Sequence, residues 1–339
     1  MKKFVLALLF IPSFAFPQSY NFRVYSIEDG MPQSQVHCIL QDHNGFMWFG
    51  TDGGGLARYD GKKFTLITTT EGLSNDLVYA AIERKDGYIW VATARGVSKL
   101  KNDTVCSLPP GFDKLQSQVV RCMLFSGATI FFGTDKGLYT YDTVSHVMSA
   151  HLEQMRVLSL CEDLDGYLWL GTGRNGVIKW ISDDNIGIVD DKNGLGNNTV
   201  SAIADTRDGL LFGTDNGAFL YRNNSLHRMI LPGTPGAKEI IRYLGYDVKG
   251  KLWIGTWDEG MFCDAGESGI IHYPKTSGIG VDGTLCELTD REGNTWIGTD
   301  GNGAVKLGMR TFTSIRAQNG LPEEMILSMC RTQKGEWWY

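Results

Sequence analysis

The sequence predicts an all-β fold: a seven-bladed β-propeller of four-stranded antiparallel blades, followed by the start of a second propeller. Three observations carry this prediction. A Trp-apolar-Gly-Thr motif recurs at a nearly constant step, turn glycines frame every copy, and a strand left over near the N-terminus matches a gap in the seventh copy.

The motif is complete at Trp48–Thr51, Trp169–Thr172, Trp253–Thr256 and Trp296–Thr299, and degenerate at Trp90–Thr93, Phe131–Thr134 and Leu211–Thr214. Its leading residues sit at 48, 90, 131, 169, 211, 253 and 296, and an eighth, Trp338, follows 42 positions later. Each unit opens with an apolar run such as Val36 to Leu40, Val78 to Ile82 or Val120 to Leu124. A turn glycine follows, usually behind an acidic or amide residue, as in Asn44-Gly45, Asp86-Gly87 and Asp165-Gly166. Such dipeptides between apolar runs signal a hairpin, because the turn needs positive φ. The motif strand comes next, then a second turn ending at Gly55, Gly96, Gly137, Gly176, Gly217, Gly260 or Gly303, a third strand and a weaker fourth.

The opening strand of each unit is apolar on both faces, which suits the innermost strand of a blade. Its third position is mostly small, holding Cys38, Ala80, Cys122, Ser159, Ala202, Tyr243 and Cys286, as a crowded axis would require. The motif Trp is expected to fill the wider space between blades, and the Gly two residues later to let a neighbour's ring approach the backbone. Repeated Trp, Gly and Thr are therefore read as structural. For closure, residues 22 to 26 supply a stray outer strand that should complete blade seven, leaving Phe312 to Ile315 as the opening strand of a second ring. Gly320-Leu321-Pro322 repeats the Gly30-Met31-Pro32 link ahead of unit one. The expected division is 1–18, 20–310 and 311–339. Because the chain stops inside a strand at Trp337-Trp338-Tyr339, a longer polypeptide is expected.

Residues 1–18 read as an export signal peptide: Lys2 and Lys3 precede an apolar stretch from Phe4 to Phe16, too short to span a bilayer core of about 30 Å. Among 339 residues, 32 Lys+Arg against 38 Asp+Glu give a net charge of −6 without a basic run, so no nucleic acid is expected to bind this region. Most of the seven cysteines fall inside apolar runs, as buried unpaired thiols do. The six histidines are scattered, with no HExxH or Cys-x-x-Cys pattern, so neither a metal site nor a cofactor is expected.

Unit one, with Asp29-Gly30-Met31-Pro32, Gln41-Asp42, Gly45, Trp48 to Thr51 and Leu56 to Phe64, resembles the two-component regulator propeller repeat. The resemblance extends over residues 20 to 339. Units three and five depart from it: Ser126-Gly127 replaces the acidic turn in one, and Leu211 replaces Trp in the other. The resemblance implies a periplasmic sensor region, frequently for carbohydrate breakdown products. It also implies a C-terminal β-sandwich, a membrane span and a histidine kinase in the full chain, and homodimerisation. None of the kinase chemistry can be placed on a residue of this sequence.

A ligand would be met on the rim carrying the turns between second and third strands and the links between blades, since these vary more than the other turns. After each Gly-Thr pair stand Asp52, Ala94, Asp135, Gly173, Asp215, Trp257 and Asp300. Trp257, beside Asp258 and Glu259, is an aromatic platform for a sugar or a partner, and Arg95 and Arg174 can pair with a carboxylate. The candidate binding residues are therefore Asp52, Arg95, Asp135, Arg174, Asp215, Trp257, Asp258 and Asp300. The alternative is that the aspartates bond their own turns and Trp257 packs on the next blade. An enzyme would need an acid/base constellation that breaks the repeat, and no catalytic residue stands out. A protein-binding scaffold is the other competing class.

Overall fold

The computed structural model describes residues 22–234, 239–264, 266, 269–275 and 283–308, with the backbone of 330–331 and 337–338. Seven four-stranded antiparallel sheets follow one another along the chain. Blade one consists of Val36–Gln41, Met47–Thr51, Leu56–Tyr59 and Phe64–Ile67, running from the inside of the ring outward. Blades two to six begin at the inner strands Val78–Glu83, Val120–Ser126, Val157–Glu162, Val200–Thr206 and Ile241–Tyr246. Blade seven has Thr284–Thr289, Thr295–Thr299 and Ala304–Leu307, and takes Phe22–Tyr25 as its outer strand, with Phe22 opposite Leu307 and Tyr25 opposite Ala304. The seven inner strands touch in a closed cycle, so the expected closure by the N-terminal strand is what the chain does.

The contact that joins blades differs from the one expected at the motif glycine. A Cβ on Gly50 would overlap the Cys38 thiol and Val78, the first residue of the next inner strand. The same holds for Gly133 against Cys122 and Val157, for Gly171 against Ser159 and Val200, and for Gly298 against Cys286 and Val36, across the closure. It is thus a β-branched side chain and a small residue, not a ring, that approach this backbone. The small third positions answer to that glycine rather than to the axis. Where unit two has Ala92 instead, its paired residue is only Ala80. The seven β-branched residues that begin the inner strands, Val36 to Thr284, are all 0% exposed. Burial pushes the Cys38 and Cys122 thiols up to about 12, so they are inert hydrophobes, and all six described cysteines are free.

Two polar latches account for the rest of the motif. Every motif Thr is fully buried and donates its hydroxyl to the carbonyl of the turn glycine that follows, from Thr51 to Gly55 at 2.8 Å through Thr299 to Gly303 at 2.8 Å. These glycines have positive φ and no room: a Cβ on Gly176 or Gly303 would strike the outer-strand carbonyl of Val189 or Tyr25. The second latch ties the first turn to the Trp. Asp42 accepts the N–H groups of Asn44 and Phe46, both at 2.9 Å, and the indole N–H of Trp48 at 2.9 Å. Asp163, Asp247 and Asp290 do the same for Trp169, Trp253 and Trp296. Unit two places Arg84 at that position, and the buried Trp90 Nε1 has no partner.

Between blades, links such as Gly30-Met31 and Gly72-Leu73 form short 3-10 turns with capping boxes on Ser26 and Thr68, and their Met31 and Leu73 side chains are buried. Blade seven also buries an acid that periodicity alone would read as apolar. Glu287 occupies the inner-strand position held by Ile39 and Leu244 elsewhere, accepting from the Thr289 hydroxyl at 2.8 Å and the Tyr243 hydroxyl at 3.3 Å. Burial pushes its carboxyl up to about 7.

The expected signal peptide at 1–18, the Phe312 to Ile315 strand and the Gly320 link lie outside the described residues. Cys330–Arg331 pairs antiparallel with Trp337–Trp338, and Cys330 faces Trp338 at the same spacing as Leu40 and Trp48 in blade one.

Three outcomes follow from this packing. Tyr25→Ala removes a ring that meets Tyr59 at 5.3 Å and Trp296 at 5.2 Å, and chemical denaturation should show a loss of about 3–5 kcal/mol, typical of a core aromatic. Arg84→Asp gives Trp90 its missing acceptor and should raise stability by about 1 kcal/mol, whereas Asp42→Ala orphans Trp48 and should lower it by about 1–3 kcal/mol. Glu287 binds its proton more tightly folded than unfolded, so its contribution is fully present below the ordinary Glu range and is lost as pH rises toward about 7. Melting curves across that window should slope downward with pH, and Glu287→Gln should flatten the slope.

Candidate functional site

The rim bearing the turns between second and third strands is stitched to the inner strands by one repeated bond. The residue after each motif Thr donates its N–H to the carbonyl just before the inner strand: Asp52 to Gln35, Ala94 to Leu77, Asp135 to Val119, Gly173 to Arg156, Asp215 to Thr199, Trp257 to Ile240 and Asp300 to Gly283. This brings the predicted column into a ring around the mouth of the central channel.

A second set of side chains joins that ring. Every inner strand has a register shift between its first and third residues, a β-bulge that leaves the second residue unpaired. The bulged residues are His37, Tyr79, Arg121, Leu158, Ser201, Arg242 and Leu285. Neighbouring ones meet: His37 and Tyr79 rings lie 5.3 Å apart, the Arg121 guanidinium sits 4.6 Å from the centre of the Tyr79 ring, and Arg242 donates to the Ser201 hydroxyl at 3.0 Å.

Two clusters concentrate the charge. Asp135 accepts from Arg121 Nε at 2.7 Å and Nη2 at 3.0 Å, and from Arg156 Nε at 3.0 Å. Burial works against this carboxylate, but the two guanidinium groups outweigh it and hold its pKa below the usual range. Asp215 accepts from Arg242 at 2.9 Å, and the same guanidinium lies 5.3 Å from the centre of the Trp257 ring. Trp257 is half-buried and packs against Gly283, just ahead of the inner strand of blade seven. Across the mouth, His37 is held below its usual range by burial first and by Arg121, while Asp52 and Asp300 pull the other way, which leaves the ring neutral at neutral pH.

Of the eight residues predicted from the sequence, Asp52, Asp135, Asp215, Trp257 and Asp300 stand at the mouth. Arg95, Arg174 and Asp258 are exposed at the turn tips and make no ion pair among the described residues. The cations that meet the aspartates are Arg121, Arg156 and Arg242 instead. The available signal was a polar residue at the second position of an otherwise apolar inner strand, where a two-residue period expects no break. Among the described residues, no group of three His, Cys, Asp or Glu is placed to hold a metal ion, and no helix is long and apolar enough to cross a membrane.

Asp135→Asn should loosen both arginines and expose them to solvent. Guanidinium Nε resonances of Arg121 and Arg156 that exchange slowly with water in the parent should exchange at least several-fold faster in the variant, while the Arg242 resonance stays unchanged.

Residues 30–53 and 72–95 match the family model of the two component regulator propeller. Comparison with curated protein sequences finds no match. Among solved structures, the chain is similar to the extracellular domain of a B. thetaiotaomicron protein described as a hybrid two component system, at 23% identity and a TM-score of 0.73, covering 85% of this chain and 41% of that one. A second extracellular domain of such a system from the same organism is 22% identical with a TM-score of 0.71, covering 94% of this chain and 44% of that one. The chain thus spans less than half the length of these two proteins. Virginiamycin B lyase from Staphylococcus aureus also matches, at 13% identity and a TM-score of 0.64, over 86% of this chain and 99% of that one. At these identities the likenesses establish the fold, which extracellular domains of two component systems and a lyase share. The chain is thus a seven-bladed propeller, two stretches of which match the two component regulator propeller.

Proposed function

We propose that this ring is the extracytoplasmic ligand-sensing module of a two-component sensor histidine kinase, and that its ligand is a small polar molecule such as an oligosaccharide bound at the channel mouth. The observation that carries the reading is the pair of clusters, Arg121–Asp135–Arg156 and Arg242–Asp215 beside Trp257, set on β-bulges of a rigid ring. Planar guanidinium groups offer paired donors to carboxylate or hydroxyl oxygens, and the half-buried indole offers a face for a sugar ring. The family match and the likeness to extracellular domains of hybrid two component systems support the sensor role. Residues 1–18, read as an export signal, agree with a periplasmic placement. In this reading occupancy is passed to a kinase further along a longer chain, with dimerisation as the means.

Titration calorimetry of the purified chain against a panel of oligosaccharides tests this. Saturable binding without turnover is expected, weakened at least about tenfold by Arg242→Ala or Trp257→Ala with an unchanged melting profile. Product formation, or binding indifferent to both substitutions, would refute the assignment.

A further inference from the structure

On the opposite rim the repeat is broken in blade three, and the break opens a groove. In blade one the first hairpin closes with Gln41 opposite Met47 around a five-residue turn, and in blade four with Glu162 opposite Leu168. In blade three Ser126 faces Thr129 around only Gly127 and Ala128. The Asp–Trp latch is missing there too, since Ser126 and Phe131 occupy its two positions. The space left against blade four is a groove of about 240 Å³ lined by Phe131, Tyr167, Trp180, Ile181, Glu162 and Ser126. That is smaller than the roughly 300–1,000 Å³ of pockets for drug-sized molecules, so it suits a small head group rather than an extended chain.

The lining joins aromatic faces to one carboxylate. Phe131 and Trp180 stand edge to face at 6.2 Å, Tyr167 and Ile181 are exposed, and Glu162 accepts from the Ser126 hydroxyl at 2.7 Å. Among the described residues no Lys, Arg or His forms an ion pair with Glu162. The surroundings are acidic: Asp163 and Asp165 lie in the adjoining turn, Asp205 receives the Leu164 N–H at 3.1 Å, and Asp183 holds the Trp180 indole at 3.2 Å while pairing with His151. Burial raises the Asp205 carboxyl, and the charges of Asp163 and Asp165 raise it further, a sign of local negative potential. The Lys179 ammonium lies 3.5 Å from the centre of the Tyr167 ring, which shows what these faces attract.

We propose that this groove binds an organic cation, with an ammonium or guanidinium head between Glu162 and the rings of Phe131 and Trp180 and an alkyl stem along Ile181. The site lies on the rim away from the channel mouth and stands independently of the sensor reading. Two sources share this chemistry: a free small amine or guanidine, and a Lys or Arg side chain of a peptide.

The test uses the whole 339-residue chain and isosteric probes followed by calorimetry and by the Trp180 indole N–H resonance, assigned from its loss in Trp180→Phe. Butylguanidinium should bind saturably and shift that resonance, butylurea of the same shape should bind at least about tenfold more weakly, and Glu162→Gln should erase the difference between them. Affinity should also fall as salt is raised. A capped tripeptide with a central arginine separates the sources: tighter binding than butylguanidinium identifies a peptide side chain, and equal or weaker binding a free cation. Butylurea binding as well as butylguanidinium in the parent chain, or no saturable binding of either cation, overturns the proposal. The parent-chain comparison decides the matter even if Glu162→Gln fails to fold.

Discussion

The ring depends on one steric arrangement repeated around it: a fully buried β-branched residue at the start of each inner strand sits against a glycine, or Ala92 in blade two, in the strand of the preceding blade. Because interiors are close-packed, a glycine that admits Val78, Val157 or Val36 sets how near two blades can come, and seven similar approaches must sum to a closed circle. The last of them, Val36 against Gly298, joins the first inner strand to the seventh blade. The N-terminal strand Phe22–Tyr25 then completes that blade, so closure is held by side-chain packing at the axis and by backbone pairing at the circumference. No unpaired edge of the ring is left at the seam.

Around that constraint the polar groups serve to hold each blade's own turns. The buried Thr hydroxyl fixes one hairpin, and the Asp carboxylate fixes the other while satisfying an indole N–H that would otherwise be stranded in the core. A cation commonly lies over the latch, as Lys306 does 4.8 Å from the centre of the Trp296 ring. Where the latch is altered, the consequences differ by chemistry. Arg84 leaves the Trp90 indole unsatisfied without changing the turn, whereas Ser126, Phe131 and the shortened hairpin of blade three change the shape of the rim and leave the groove beside Glu162.

The channel mouth illustrates how a scaffold presents chemistry without loops of unusual length. A β-bulge frees one residue per inner strand from the alternation that would bury it, and the repeated N–H bond to the preceding carbonyl holds the second residue of each pair close by. Charge is then distributed unevenly around the circle, with Arg121 and Arg156 on one side and Asp52 and Asp300 on the other.

Read alone, the sequence determined the number of blades, their strand order, the turns at each glycine and the seam, because these rest on local rules: a two-residue side-chain period, positive φ at turns, and a repeat of about forty residues that leaves one strand over at the start. It also placed Asp52, Asp135, Asp215, Trp257 and Asp300 on one rim, since strand order alone fixes which turns share a face. What only the tertiary structure decided is which partners meet. That Asp135 is held by Arg121 and Arg156 rather than by Arg95, that Val78 rather than a ring fills the space at Gly50, and that Glu287 is buried against Tyr243 all depend on contacts across strands and between blades. Such contacts bring together residues from 14 to 44 positions apart, and their geometry is set by the curvature of the closed ring, which no local pattern encodes.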